Sequence, residues 1–464
     1  MKKKHLVVVG VIILSAIVIL GLYQTFALSS DITKDTSGYY NVTITDGTTI
    51  TVPAGSTKTV YYKLTNTNKG IVKYGVGYSG TNITVKYYTD TIDPVTGTVD
   101  YGKSKYIKLS VENTGTTSST ATLSTILGYE NGGDLIVPSG VTLVTEKKSP
   151  LSSYITNLYN NATKTAVINN SITYQYDTTH SLMKDIDGNI RYYGASPNNY
   201  IYFNCSDYSN QSASTCETWR IIGVFEGKVK LIRGSQIGTY AWDNKNTSTG
   251  AETAYGKNDW AEARLMKLLN PGYESETTGG SLYYNAKSGN CYSGQSNATK
   301  ACNFTSTGIK NATTRNLISD TIYYLGGHNS FSVYPNQIYE KERGTTVYSG
   351  RPTEWTGKIA LAYPSDYGYA ADLGKCSQNL NNYNNSTCTS NNWMKAIVAP
   401  NYGWLLTPRS GIASNVWYVY SSGGVYYNSY VYNAYGVAPV LFLNSDANVK
   451  SGTGTSSDPY QISV

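Results

Sequence analysis

Short runs that alternate apolar and polar residues fill the first third of the chain. YYNVTI, TITV, KTVYYKLTN, NITVKYY, YIKLSVEN, TATLSTI and VTLVT follow one another from about Ser37 to Thr145. Turn-forming groups separate them: Asp46-Gly47, Pro53-Ala54-Gly55, Asn66-Thr67-Asn68 and Asn113-Thr114-Gly115. Successive side chains of a strand point to opposite faces, so period two means one face buried and one wet. Repeated at this spacing without a helical stretch, it predicts an all-β antiparallel sandwich over 33–147. No residue in it suggests chemistry, so the region reads as a stalk or spacer.

The pattern changes at Ser149-Pro150. Ser as N-cap followed by Pro at the first helical position is a start signal. Leu151, Ile155 and Leu158 then share one helical face, which predicts a helical linker over 148–173. Two further helices are expected. DWAEARLMKLL stops at Asn270-Pro271-Gly272 and TTRNLISDTIYYL stops at Gly326-Gly327, both strong breakers. Short strands and long loops fill the rest as far as Leu443, so 174–446 is expected to be an irregular α+β domain. The closing stretch 447–464, which ends in SGTGTSSDPYQISV, is a Gly/Ser-rich tail that turns briefly β-like, with no apolar segment or basic end for a C-terminal anchor.

Ahead of all this, MKKKH precedes an apolar run from Leu6 to Leu22. Cations followed by such a run direct a chain into a membrane with its N-terminus cytoplasmic. The run approaches the roughly 20 residues that span a bilayer, so 1–28 is expected to be a membrane helix acting as a single-pass signal anchor. Thr25-Phe26-Ala27 is also tolerable as a cleavage site, which would make it a removed signal peptide and the protein secreted. In both cases everything after Leu28 lies on the extracellular side. The formal net charge is +7, and Lys2, Lys3 and Lys4 contribute part of that excess. No long basic run follows, which argues against a nucleic-acid partner.

Composition agrees with an exposed, β-rich protein. There are 45 Tyr against 6 Phe, and Tyr suits strands and wet surfaces, where the ring packs while the hydroxyl meets water. The six cysteines fall in three close pairs: Cys205 with Cys216, Cys291 with Cys302, and Cys376 with Cys388. The intervening segments are polar and Asn/Ser-rich and cannot order themselves by packing. Three local disulfides in an oxidising compartment are therefore expected. A metal site would want Cys-x-x-Cys or His spacings that are absent.

Several phrases in order, ETWRIIGVFEGKVKLIR, WTGKIALAYPSDYGYA, GWLLTPRS, VWYVYSSGGV and GVAPVLFLNSD, resemble the C-type-lectin-like domains of bacterial surface proteins. That group includes the variable proteins of diversity-generating retroelements, and the sulfatase-modifying, formylglycine-generating enzymes share the broader fold. GSTKTVYYKLTNTN and GKSKYIKLSVENTG similarly resemble Ig-like domains of bacterial surface proteins. The resemblance implies a membrane-anchored adhesion-type protein: an Ig-like sandwich, then a lectin-like head with long disulfide-stapled loops. In the retroelement-diversified relatives, adenine-directed mutagenesis turns Asn codons near the C-terminus into Tyr, Ser, Ala or Gly codons. The residue set here is compatible with that process and equally with ordinary selection for a polar β surface. One departure stands out. The family usually carries Arg in Gly-Val-Arg-Pro, where this chain has Ala438.

Within 404–443 a Trp/Val/Gly skeleton alternates with Tyr, Asn and Ser, the residue types of adaptable binding surfaces. Along Val416–Tyr420, Trp417 and Val419 should face the core while Tyr418 and Tyr420 face outward. Ser422-Gly423-Gly424 should turn the chain. The contact candidates are Tyr418, Tyr420, Tyr426, Tyr427, Asn428, Tyr430, Tyr432, Asn433 and Tyr435, facing an unknown protein or carbohydrate at the cell surface. No catalytic residue, cofactor or metal is expected. His180 and His328 stand without a triad, with His328 expected to end a helix. Trp242-Asp243-Asn244 is only a weak echo of a lectin calcium motif, and Asp366 reads as a turn cap or buried hydrogen-bond hub. Two other readings remain: a structural envelope protein with no dedicated ligand, and a sulfatase-modifying-type enzyme, which would need a free thiol at Cys376 or Cys388.

Overall fold

The computed structural model describes residues 27–463 except for 35–39, 45–48, 67–69, 88–92, 131–134, 136, 145–149, 246–253, 274–278 and 446. The chain divides into two compact units, Met1–Lys147 and Lys148–Val464.

In the first unit two five-stranded sheets enclose one core. One runs Tyr40–Ile44, Ala27–Lys34, Thr57–Thr65, Ser104–Asn113, Ile83–Tyr87. The other runs Thr142–Leu143, Val72–Ser79, Ser119–Glu130, Thr49–Val52, with Thr96–Val99 also on Val72–Ser79. Alternation does what period two requires: Tyr62 and Leu64 of one sheet and Val52 and Val76 of the other are all fully buried. Among the described residues of this unit all pairings are antiparallel but one. Ala27–Lys34 lies parallel to Thr57–Thr65, and it begins inside the stretch assigned to the leader.

The second unit is built on a nine-stranded sheet. Its middle is formed by Ile190–Tyr192, Glu217–Phe225, Lys228–Arg233 and Val440–Phe442, all antiparallel. A separate five-stranded sheet runs in the order Thr239–Ala241, Ala434–Gly436, Gly403–Pro408, Asn415–Val419, Val425–Tyr430. The helix Leu151–Asn161 closes on the core of this unit through Leu151, Ile155 and Tyr159. The last residues form a hairpin of Asn448–Ser451 with Gln461–Ser463, and Tyr460 and Ile462 are buried.

The expected fold class needs correction. Strand accounts for 39% and helix for 13%, so the fold is mostly β rather than α+β beyond the first unit. Among the described residues no helix is long and apolar enough to cross a membrane, and the expected membrane helix at Leu6–Leu22 lies outside them. The helical expectations fail for local reasons. Of TTRNLISDTIYYL only Ala312–Leu317 is helical. Thr321–Tyr324 is a strand on Glu354–Gly357, because β-branched and aromatic residues after the Ser319-Asp320 break suit a ladder better than a helix. His328 accordingly bridges to Arg409 and ends no helix. DWAEARLMKLL shrinks to Arg264–Leu269, stopping at Asn270 as expected. Its first turn is held in another shape by Asp259 and Asp243, whose carboxylates accept from the Ala261 and Arg264 amides.

Candidate functional site

The tyrosine segment lies on the five-stranded sheet, and strand register explains its geometry. Tyr240 opposes Tyr435, Trp404 opposes Tyr418, and Tyr418 opposes Tyr426. Directly opposed residues share a face. Each of the five strands therefore contributes one aromatic residue to a row across the sheet, with Gly403 beside Gly436 joining the halves. The rings touch. Trp404 and Tyr435 centroids are 4.5 Å apart, Tyr418 and Tyr435 5.4 Å, and Tyr418 and Tyr426 6.3 Å. Tyr402 stacks on Tyr435 at 4.8 Å and meets Tyr420 edge-on at 4.7 Å. Its hydroxyl is raised above its ordinary pKa, first by the hydrogen bond to Tyr420. Pairs of this kind contribute about 0.5–1.5 kcal/mol each beyond area burial, so the row is stiff.

Close backbone approach and a tight turn hold the row in place. A Cβ on Gly403 would sit 1.7 Å from the Val398 carbonyl oxygen. Gly423 takes φ +104°, as the expected turn needs, and its amide donates to the Tyr420 carbonyl at 2.8 Å. On the return, Tyr427 and Asn428 together oppose Trp417, a bulge that re-aims the edge strand.

The predicted candidates separate into four settings. Tyr420, Tyr426 and Tyr435 belong to the row, with Tyr420 38% exposed and the other two half-buried. Tyr418 was expected to face outward, yet it is only 7% exposed, because Trp404, Tyr426 and Tyr435 pack around its ring. Burial raises its hydroxyl well above the ordinary tyrosine range, and the hydroxyl donates to Asn428 Oδ1 at 3.1 Å. Trp417 and Val419 are fully buried.

Tyr427 lies elsewhere, against Trp417 and Phe331 and under the Arg409 guanidinium. Tyr430 and Tyr432 form a third group with Tyr255, their near-parallel rings 5.8 Å apart, and Asn433 props the turn by donating to Ser429 Oγ. Sequence reasoning missed Tyr402. The signal was present, since Tyr402 precedes Trp404 by two positions and period two puts both on one face. Tyr255 and Phe331 come from distant segments and carry no such signal.

The other unusual chemistry is a sealed ionic cluster in the nine-stranded sheet. Asp366 caps the helix Pro364–Tyr369 through the Tyr363 amide and receives Arg191 Nη1 at 2.9 Å and Lys230 Nζ at 2.5 Å. Arg191 Nε also meets Asp185 at 2.6 Å. Burial works against the Asp366 carboxylate, but Lys230 and Arg191 hold it below its ordinary pKa. Burial pulls Lys230 down to about 8 against the opposing pull of Asp366. It pushes the nearby Glu342 up to about 7, although Arg343 and Ser365 favour its ionised form. A cavity of about 310 Å³ opens beside Lys230, walled by Phe225, Tyr323, Tyr339, Tyr363 and Phe442. Glu342 does not line it, and Lys230 is spent on Asp366.

The cysteines pair as their spacing predicts: Cys205–Cys216, Cys291–Cys302 and Cys376–Cys388. Three disulfides suit an extracellular or otherwise oxidising compartment. Trp242 and Asp243 are built into the core, with Asp243 accepting from the Lys257 and Arg264 amides. Ala438 is buried. Comparison with known proteins gives no match: neither a family model, nor a curated relative, nor a solved structure lends this chain a role.

Proposed function

We propose that the second unit is an extracellular recognition module that binds a protein or glycan through the aromatic row of its five-stranded sheet. Tyr402, Tyr420, Tyr426 and Tyr435 would make contact, with Tyr418 and Trp404 as the packed layer that holds them. The supporting observation is a cluster of touching rings from four of the five strands, joined by Tyr402 and Tyr420, whose outer members remain half-exposed. Rigid tyrosines give contact area at little entropic cost, and their hydroxyls accept and donate. The resemblance to lectin-like surface domains points the same way. A thiol-dependent oxidase is less well supported, since Cys376 and Cys388 are joined and buried.

The test is a footprint. The ectodomain is screened on a panel of surface glycans and surface proteins, then nitrated with and without the ligand found. Protection of Tyr420 and Tyr426, with Tyr430 and Tyr432 still reactive, is the expected result. Protection of Tyr430 and Tyr432 alone, or of neither group, would overturn the reading.

A further inference from the structure

The nine-stranded sheet holds a buried cation with no counter-ion among the described residues. Arg220, in the strand Glu217–Phe225, is 7% exposed. Its Nε donates to Asn199 Oδ1 at 2.5 Å and its Nη2 to the Pro197 carbonyl oxygen at 3.3 Å. The guanidinium lies 3.6 Å from the Tyr200 ring centroid and 4.9 Å from that of Trp393. Among the described residues no carboxylate comes within ion-pair distance. The contrast with the same sheet is sharp: Arg191 and Lys230 share Asp366, and Arg233 Nε has Glu217 at 3.0 Å. Burial therefore pulls Arg220 down to about 10, with only Tyr200 working the other way. Aromatic faces repay part of the lost hydration, but a desolvated charge ordinarily comes with a partner.

A cleft of about 400 Å³ opens beside this guanidinium, between Tyr200, Trp393 and the Glu217–Arg233 pair. Among the described residues Arg220 Nη1 has no hydrogen-bond partner. Arg233 stands opposite Trp219 and so turns to the other face of the sheet, where its Nε holds Glu217, whereas Arg220 shares its face with Tyr200. Arg220 thus brings a single positive charge to the cleft, against Tyr200 and Trp393. A phosphate dianion would overbalance it. One carboxylate would balance it, and guanidinium edges suit that planar group. The cleft is also larger than a bare anion needs, and Thr218 and Ser235 add small polar side chains to its wall.

We propose that this cleft binds the carboxylate of an acidic sugar unit, received by Arg220, with the sugar body against Thr218, Ser235 and the Trp393 side. The site is separate from the aromatic row and does not rest on it. The experiment is calorimetric titration of the intact ectodomain with sodium glucuronate, glucose, acetate and inorganic phosphate. Saturable glucuronate binding, at least about tenfold tighter than that of any other probe, is expected. Arg220→Gln should weaken it by about tenfold or more, as loss of a buried charged contact does. Ala396→Trp, at the exposed mouth of the cleft, should block binding without touching the buried guanidinium, so the result is readable even if Arg220→Gln fails to fold. Acetate binding as well as glucuronate, phosphate binding more tightly, glucuronate binding that Ala396→Trp leaves unchanged, or no binding at all would overturn the proposal.

Discussion

The aromatic row and the Asp366 cluster use similar materials to opposite ends. Around Asp366 the rings close over the charges: Arg191 lies 4.5 Å from the Phe225 centroid and 4.7 Å from that of Tyr369, and no charged group of the cluster's centre reaches water. In the five-stranded sheet the rings close over each other and leave their outer faces half-open. The first arrangement spends aromatic surface on making buried charge tolerable, which fixes how distant segments meet. The second keeps surface in reserve. What separates structural tyrosines from available ones is thus the neighbour that covers the ring, not the residue type.

The largest effect should come from breaking the sealed side. Asp366→Asn leaves Arg191 and Lys230 buried without their shared partner, and a loss of about 3–5 kcal/mol in urea unfolding is expected. A change under ~1 kcal/mol would mean that water enters the cluster and that the contrast with the open row is overdrawn.

Within the row, Tyr418→Ala removes a buried ring and should destabilise by about 3–4 kcal/mol, whereas Tyr420→Ala should cost under ~1 kcal/mol. Equal costs would erase the distinction between supporting and contacting rings.

A subtler effect is pH dependence. The folded pKa of Glu342 is raised to about 7 from an ordinary 4.5. The folded state thus holds a proton that the unfolded chain has lost. Its contribution is complete below the ordinary carboxylate value and disappears as pH rises through about 7. Between those limits wild-type stability should fall with rising pH by about 2–3 kcal/mol. Glu342→Gln should flatten that slope in urea unfolding followed across the window. An unchanged slope would show that Glu342 is not its source.

Sequence legibility follows the range of the interactions. The strands of the first unit could be read from alternation, because one buried face writes itself into every second residue. The disulfides could be read because their partners are close in the chain and nothing between them can pack. Trp417 and Val419 were legible as core for the same local reason. Tyr418 was not. Alternation gives its face, but the rings that cover that face arrive from Tyr402–Trp404 and Tyr435 on other strands.

Asp366 was legible as a cap or hub from Pro364-Ser365-Asp366, although its partner Arg191 is supplied by a distant strand. The helix expected through Thr321–Tyr324 failed because a ladder partner at Glu354–Gly357 outweighed a weak helical pattern. The uncompensated charge of Arg220 left no trace in the sequence, since Arg233 is equally buried and only its three-dimensional partner Glu217 distinguishes it.

The central claim is that the row is an open contact surface on a scaffold that does not need its outer rings to fold. The most direct measurement is one triple variant, Tyr420→Ala with Tyr426→Ala and Tyr435→Ala, read for both unfolding and ligand capture. The account predicts a cooperative urea transition with the wild-type slope, a loss of no more than about 2–3 kcal/mol, and capture abolished. A variant that loses its cooperative transition, or one that folds and still captures the ligand, would contradict it.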